Sequence, residues 1–189
     1  MSEPRKTPLY DAHVAAHGKI IDFGGWALPV QYTSILEEHR AVRERAGLFD
    51  VSHMGEIHVT GPGANAAINR LVTNDCSGIA VHQVMYSPMC YPSGGVVDDI
   101  LIYRLTEADY CLVVNASNTA KDSEWITSHI AGPDVKVTNL SDTLAQLAIQ
   151  GPLAESVLAR VCDVDLSQIK FYWCRTNVKV AGRECVVSR

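Results

Sequence analysis

Residues 56–72 read EIHVTGPGANAAINRLV, and this stretch decides the fold. Glu56 to Thr60 alternates apolar and polar side chains, the period of a half-buried strand. Gly61-Pro62 then breaks the strand, with proline at a first-turn position, and Ala67, Ile68, Leu71 and Val72 form a helical stripe. Strand-like runs follow at 84–90, 96–105 and 110–115, separated by turn residues at 92–95 and 106–109. Asn118 reads as the cap of a helix through Ile130, with Trp125, Ile126 and Ile130 on its apolar face, and residues 135–138 alternate again. The order β-α-β-β-β-α-β predicts a ferredoxin-like α+β unit.

Ninety residues on, Leu147-Ala-Ile-Gln-Gly151-Pro152-Leu-Ala154 matches Ile57-His-Val-Thr-Gly61-Pro62-Gly-Ala64. Two copies of strand, Gly-Pro and helix suggest two related ferredoxin-like α+β units with antiparallel sheets. On the motif alone, Gly-Pro simply recurring before helices explains the match equally well. The expected division is an incomplete first unit, residues 1–54 plus 142–189, and an inserted unit, 55–141. In the first unit, Ser34-x-x-Glu37 reads as a capping box and Gly47 as the stop of a helix carrying Ile35, His39, Val42 and Ala46 on one face. The adjacent glycines of Asp22-Phe-Gly-Gly-Trp26 mean a tight turn or a surface where something approaches the backbone. Residues 177–188 read as a hairpin turning near Gly182. An apolar strand one residue from the end, with nothing to cover it, gives the expectation that the sequence is cut short.

Composition narrows the function classes. With 16 Lys+Arg against 21 Asp+Glu the net charge is −5, which argues against a general nucleic-acid binder. Hydrophobic residues at 47% and charged residues at 20% exclude a disordered chain. No run approaches eighteen apolar residues and the first ten lack a signal-peptide core, so an intracellular chain without a membrane span is expected. The six cysteines are scattered without a C-x-x-C, so free core thiols are expected. His13 and His17 stand at i, i+4, but Gly18 follows and no metalloprotease signature accompanies them, so a helix end is read there.

The segment most suggestive of chemistry is Ser93-Gly-Gly-Val-Val-Asp98-Asp99-Ile-Leu-Ile-Tyr103. Strand alternation would place Asp98 with Val96, Ile100 and Ile102, and Asp99 with Val97, Leu101 and Tyr103. One carboxylate must then point into a core or cavity, where it needs a proton, a partner or a function. The alternative is one solvated aspartate and one that accepts backbone N–H bonds at the Gly-Gly turn. Asp50-Val-Ser-His53-Met54-Gly55 lies at the junction of the units, where clefts form, although a lone histidine such as His53 is ordinarily structural. Tyr86 and Tyr103 could stack on a flat ligand or simply pack, and Asn115 could be an ordinary strand-end residue.

Taken together, Thr7-Pro-Leu-Tyr10, Asp22-Phe-Gly-Gly-Trp26, Glu38-His39, Val42-Arg43, Gly47-Leu-Phe-Asp-Val-Ser-His-Met54, Tyr86-Ser87, Gly94-Gly-Val-Val-Asp-Asp99, Val113-Val-Asn115 and Gln150-Gly-Pro152 resemble the T-protein family of the glycine cleavage system. The resemblance covers the chain in order and implies the folate-binding T-protein fold. It also implies an aminomethyltransferase that moves an aminomethyl group from the dihydrolipoyl arm of the lipoylated H-protein to tetrahydrofolate, releasing ammonia and forming 5,10-methylenetetrahydrofolate. By the same matching Asp99 is the essential carboxylate, managing a proton near the folate nitrogens. Met54, Tyr86, Asp99, Tyr103, Asn115 and Phe171 would line the folate pocket, with Phe171 where relatives can carry tyrosine. The implied co-substrate is tetrahydrofolate, with no metal, nucleic acid or membrane, and the implied compartment is the cytoplasm. Family members run about twice as long, through a Gly-Tyr-Thr-Gly-Glu segment into a C-terminal β-barrel domain. The expectation is therefore an N-terminal half with little activity alone. The alternatives on the same fold are a folate-dependent demethylase and a non-catalytic folate-binding accessory protein for iron–sulfur assembly. The intact aspartate pair favours the transferase.

Overall fold

The computed structural model describes residues 3–130 and 132–189. It begins with helix α1 (Tyr10–Ala15), then strands β1 (Ile20–Phe23) and β2 (Trp26–Pro29), helix α2 (Ile35–Glu44) and strand β3 (Gly47–Asp50). The central segment runs β4 (Gly55–Thr60), α3 (Ala64–Leu71), β5 (Val84–Cys90), β6 (Val96–Arg104), β7 (Asp109–Val114), α4 (Thr119–Ile130) and β8 (Lys136–Asn139). The rest is β9 (Leu147–Gln150), α5 (Ala154–Leu158), β10 (Cys174–Val180) and β11 (Arg183–Ser188).

The central segment folds as one antiparallel five-stranded sheet in the order β5-β6-β7-β4-β8. One face carries Ile57, Val59, Met89, Ile100, Ile102, Leu112 and Val114, all buried against Ala67, Ile68 and Leu71 of α3 and Ile126 and Ile130 of α4. At about 25 cal/mol per Å2 of apolar surface, this layer supplies the main driving force for folding. The outer segments add three two-stranded antiparallel ribbons, β1–β2, β3–β9 and β10–β11. The molecule is α+β with antiparallel sheets throughout, and no closed barrel forms among the described residues.

The ninety-residue match is a structural repeat. Gly61 and Gly151 sit at φ +118° and +117°, each between a strand and a helix. A Cβ on Gly61 would lie 2.2 Å from the Asp134 carbonyl oxygen, and one on Gly151 would lie 2.5 Å from that of Val42. Only glycine fits both places. Further along, Asp75 accepts from the Ser77 backbone and hydroxyl, and Asp165 does the same with Ser167. His82 and Tyr172, again ninety apart, are both left-handed at φ 70° and 58°. The two copies meet at these positions: Val84 N–H donates to the Tyr172 carbonyl at 2.8 Å and Cys174 N–H to the His82 carbonyl at 2.7 Å. Gln83 and Trp173 pair antiparallel between them.

Several local expectations need correcting. Ser34 does cap α2, accepting from Glu37 N–H, but Glu38 rather than Glu37 reaches back, taking the N–H groups of Tyr32, Thr33 and Ser34. Gly47 is not the helix stop. It opens β3, where a Cβ would meet the Val42 side chain at 2.6 Å. No α2 residue is buried, because the helix packs beside the narrow β3–β9 ribbon and leaves Ile35 and Leu36 in solvent. Asn118 does not cap α4: residues 116–118 form a 3-10 turn and the Asn118 amide is drawn to Asp98 instead. The Gly24-Gly25 pair is the tight turn of the β1–β2 hairpin, closed by Asp22 accepting from Gly25 N–H at 2.7 Å.

Candidate functional site

The sheet face opposite α3 and α4 is built from the alternate residues of each strand. Across it, Glu56 lies opposite Val113, Val113 opposite Leu101, and Leu101 opposite Tyr86. The next row is His58, Cys111, Tyr103 and Val84. Asp99 lies two residues before Leu101 on β6, Asn115 directly follows β7, and Met54 directly precedes β4, whose Gly55 pairs with Val114. Asp99, Tyr86 and Tyr103 lie on this face, with Tyr86 in the Leu101 row and Tyr103 one row further from Asp99, while Met54 and Asn115 flank the Asp99 end. Phe171 stands apart from the sheet, 75% exposed, its ring edge-on to Tyr172 at 4.7 Å.

The two aspartates have opposite fates. Asp98 is buried on the core side and accepts from the Asn115 backbone at 3.0 Å, the Asn115 side chain at 2.9 Å and the Asn118 side chain at 2.9 Å. Burial opposes its ionisation, yet these hydrogen bonds and one with Asp122 outweigh it and hold the carboxyl below the ordinary aspartate range. Asp99 is exposed at the edge of the opposite face, and its Oδ1 accepts from the Asn115 side chain at 3.2 Å. The aspartates follow the regular alternation with Ile100 and Leu101, and a bulge shifts only the residues before them. Met89 pairs with Asp98 but Cys90 pairs with Val96, which turns Val97 into the core and leaves Val96 in solvent. The expected grouping of Val97 with Asp99, and of Val96 with Asp98, is therefore wrong. The buried partner of the Gly-Gly turn is also corrected: Asp98 bonds to Asn115, not to the turn.

Asn115 is the bridge, its amide donating to Asp98, to the Asp99 carbonyl and to the Asp99 side chain. Beside them, the Tyr86 phenol is raised above its usual pKa by desolvation and then by its contact with Asp99 and the neighbouring Tyr172. Tyr103 is raised likewise by burial, and its hydroxyl meets Ser188 of β11 at 3.1 Å. An exposed carboxylate, an amide and two phenols thus border an apolar floor of Leu101 and Val113. Such a surface can stack a flat ring and exchange a proton with a ring nitrogen.

Sequence reading missed four residues here. Glu56 is buried on the same face with no hydrogen-bond partner for either carboxyl oxygen, and burial pushes it up to about 7. Its signal was available, since strand alternation puts it opposite Ile57 and Val59. Tyr172, Asn118 and Asp122 are set by tertiary contacts and left no such signal. His53 is packed edge-on against Phe23 and Trp26, its pKa lowered chiefly by burial. His13 turns away from His17 to bond Tyr32 at 2.7 Å and Asp50 at 2.9 Å. Among the described residues no cluster of three or more His, Cys, Asp or Glu is arranged to hold a metal, and no helix is long and apolar enough to cross a membrane.

The profile of the GCVT N-terminal domain matches residues 9–189. The chain belongs to the GCVT N-terminal domain family. This GCVT domain is 55% identical over 185 residues to the aminomethyltransferase of Bacillus cytotoxicus, covering 98% of the chain and 50% of that protein. It is 53% identical over 189 residues to the aminomethyltransferase of Desulforamulus reducens, covering all of the chain and 51% of that protein. The chain thus spans about half the length of the curated relatives it matches. Among solved structures, the glycine cleavage system aminomethyltransferase T from Bartonella henselae superposes with a TM-score of 0.85 at 33% identity, over 90% of this chain and 46% of that one. A heterotetrameric sarcosine oxidase from Corynebacterium sp. U-96 matches at 15% identity with a TM-score of 0.63, a likeness of fold alone. The GCVT domain therefore has the T-protein type of fold expected from its sequence.

Proposed function

We propose that this GCVT domain is the folate-handling part of a cytoplasmic aminomethyltransferase of the glycine cleavage system. It moves an aminomethyl group from the dihydrolipoyl arm of H-protein to tetrahydrofolate, with release of ammonia and formation of 5,10-methylenetetrahydrofolate. The carrying observation is Asp99: an exposed carboxylate, oriented by Asn115, at the edge of an apolar sheet face that carries Tyr86 in the next row and Tyr103 one row beyond. The aminomethyltransferase relatives support the same reading.

In this reading the pterin lies on the Leu101–Val113 floor, with Met54, Tyr86 and Tyr103 around it and Phe171 stacking at the rim. Asp99 accepts a hydrogen bond from a folate nitrogen and takes up the proton that nitrogen loses as it attacks the aminomethyl carbon, whose bond to the lipoyl sulfur breaks to return the dihydrolipoyl thiol. Attack by the second folate nitrogen then displaces ammonia. The proton transfer to Asp99 raises the first nitrogen's nucleophilicity at the moment of transfer. The division into a first unit, 1–54 plus 142–189, and an inserted unit, 55–141, belongs to the same proposal. It would leave the floor on the inserted unit and Phe171 on the other. The 189-residue chain by itself is expected to turn over slowly.

Calorimetric titration of tetrahydrofolate into the chain tests this, with Asp99→Asn alongside. Loss of a hydrogen bond to a charged acceptor is worth about 1.5–3 kcal/mol, so affinity should fall about tenfold or more while the thermal midpoint holds. Equal affinity in the two proteins would remove Asp99 from the site.

A further inference from the structure

Behind Asp99, on the core side of β6, the GCVT domain holds a second carboxyl that the folate reading does not use. Asp122, on the first turns of α4, has no exposed surface, and neither of its oxygens receives a hydrogen bond from an N–H or hydroxyl group. The Lys121 ammonium stands 3.3 Å from Oδ1 as an ion pair and also donates to the Val97 carbonyl, so it opposes the protonation of Asp122 in part. What Asp122 does meet is the carboxyl of Asp98. Two ionised carboxylates in contact in a water-free core would repel strongly, and neither could donate to the other. A single proton between them resolves both problems, as in other coupled carboxyl pairs. Asp98 already accepts three amide N–H bonds, so the ionised partner is Asp98 and the proton resides on Asp122.

We propose that Asp122 is a positioning residue: it shares one proton with Asp98, and the pair so formed clamps Asn115 and Asn118 and thereby aims the Asn115 amide at Asp99. The geometry makes the clamp specific. Asp98 Oδ2 holds the Asn115 backbone, Oδ1 holds both asparagine side chains, and the remaining Asn115 amide hydrogen reaches Asp99 at 3.2 Å. The ionisable groups facing Asp122 are Asp98 of β6 and Lys121 of its own helix. Burial and the Asp98 charge raise Asp122 to about 7, with Lys121 opposing. Below that point the pair is singly charged and the clamp is closed. Above it both carboxyls are charged and the clamp loosens.

The consequence for the ligand rests on the folate reading, but the clamp itself is tested without ligand. In the 189-residue chain, carbon-13 detection of the aspartate carboxyls should show Asp122 titrating near 7, and the side-chain amide signals of Asn115 and Asn118 should shift with the same midpoint. Asp122→Asn, whose amide donates to Asp98 permanently, should keep the low-pH positions of those signals and abolish the step. Asp122→Ala should displace them at every pH. The inference is overturned if Asp122 titrates among the ordinary carboxylates, or if Asp122→Asn displaces the asparagine signals as Asp122→Ala does. The wild-type titration decides even if the alanine variant does not fold. Tetrahydrofolate titration at pH 6 and pH 8 then separates the two readings. An affinity that falls severalfold with pH in the wild type but not in Asp122→Asn ties the clamp to the ligand. Failure of the wild type to bind at either pH counts against the folate reading alone, and the clamp then stands or falls on the ligand-free signals.

Discussion

Glu56 and Asp122 are buried carboxyls whose ionisation the fold resists, both raised to about 7, in each case chiefly by burial. Their folded values lie above their unfolded ones, so the native state binds more protons. The stabilisation they give is complete below the unfolded carboxylate range and is lost as pH rises through about 7. The protein should therefore melt at higher temperature at pH 5 than at pH 8. A penalty on the order of 2 kcal/mol per group corresponds to a drop of several degrees in a chain of this size. Glu56→Gln should flatten part of that dependence in calorimetric melts at the two pH values, and an unchanged slope would show that Glu56 is solvated. The thiols behave similarly. Burial raises Cys76 and Cys174 to about 11 and Cys111 to about 12, so they carry almost no thiolate at neutral pH. Alkylation of the native protein should label the half-buried Cys90, Cys162 and Cys185 first, with the other three reacting only on unfolding. Mass-spectrometric mapping reads this directly.

At the scale of elements, the two Gly-Pro junctions carry more of the fold than their length suggests. Gly61→Ala and Gly151→Ala each place a methyl group against backbone in a positive-φ conformation, and each should destabilise by about 3 kcal/mol or more in urea unfolding. Gly94→Ala, at φ +89° in open space, should cost only about 1 kcal/mol. Similar losses at all three positions would mean that the close approaches relax. The α2 entrance offers a second comparison. Glu38→Ala removes the acceptor of three backbone N–H groups and should cost about 1–2 kcal/mol, whereas Glu37→Ala should be near neutral. The capping-box pattern in the sequence pointed to Glu37 because it counts positions. The chain entering the helix instead curls over the next turn, which brings Tyr32 and Thr33 within reach of Glu38.

For the whole molecule, the organising feature is the pairing of the repeats at Gln83 and Trp173. The Val84 and Cys174 amides join the two repeated segments in equivalent hydrogen bonds, so both should exchange with solvent through one shared opening, slower than the exposed β1–β2 hairpin. Native-state hydrogen exchange with widely different rates at Val84 and Cys174 would break that equivalence. The five-stranded sheet, with both of its helices, was legible in the sequence because strand alternation, helical stripes and Gly-Pro breaks act over a few residues. Of the residues named from the sequence, Met54, Asp99 and Asn115 come together because β4 begins and β7 ends beside Asp99, while Tyr86 and Tyr103 lie one and two rows further along the same sheet face. Their placement is structural fact, and their role is the proposal above. By contrast, the α2 stripe of Ile35, His39, Val42 and Ala46 is covered only at its Val42–Ala46 end, since periodicity does not say how far a partner surface extends.

Whereas only the structure settled the repeat, patterns in the sequence were enough to determine the α+β class and the antiparallel strands, and the ordered motifs were enough to identify the family. Each of these depends on residues close together in the chain or on a pattern preserved along it. Tertiary structure alone decided that the face of Asp98, Ile100 and Ile102 is the core side, and it added Val97 to that side through a bulge against β5 just before Asp98. It also left Glu56 without a partner, set Asp122 against Asp98 and joined residue 83 to residue 173. Those outcomes depend on which strands become neighbours and in what register, a long-range balance of burial and hydrogen bonding that no single segment encodes.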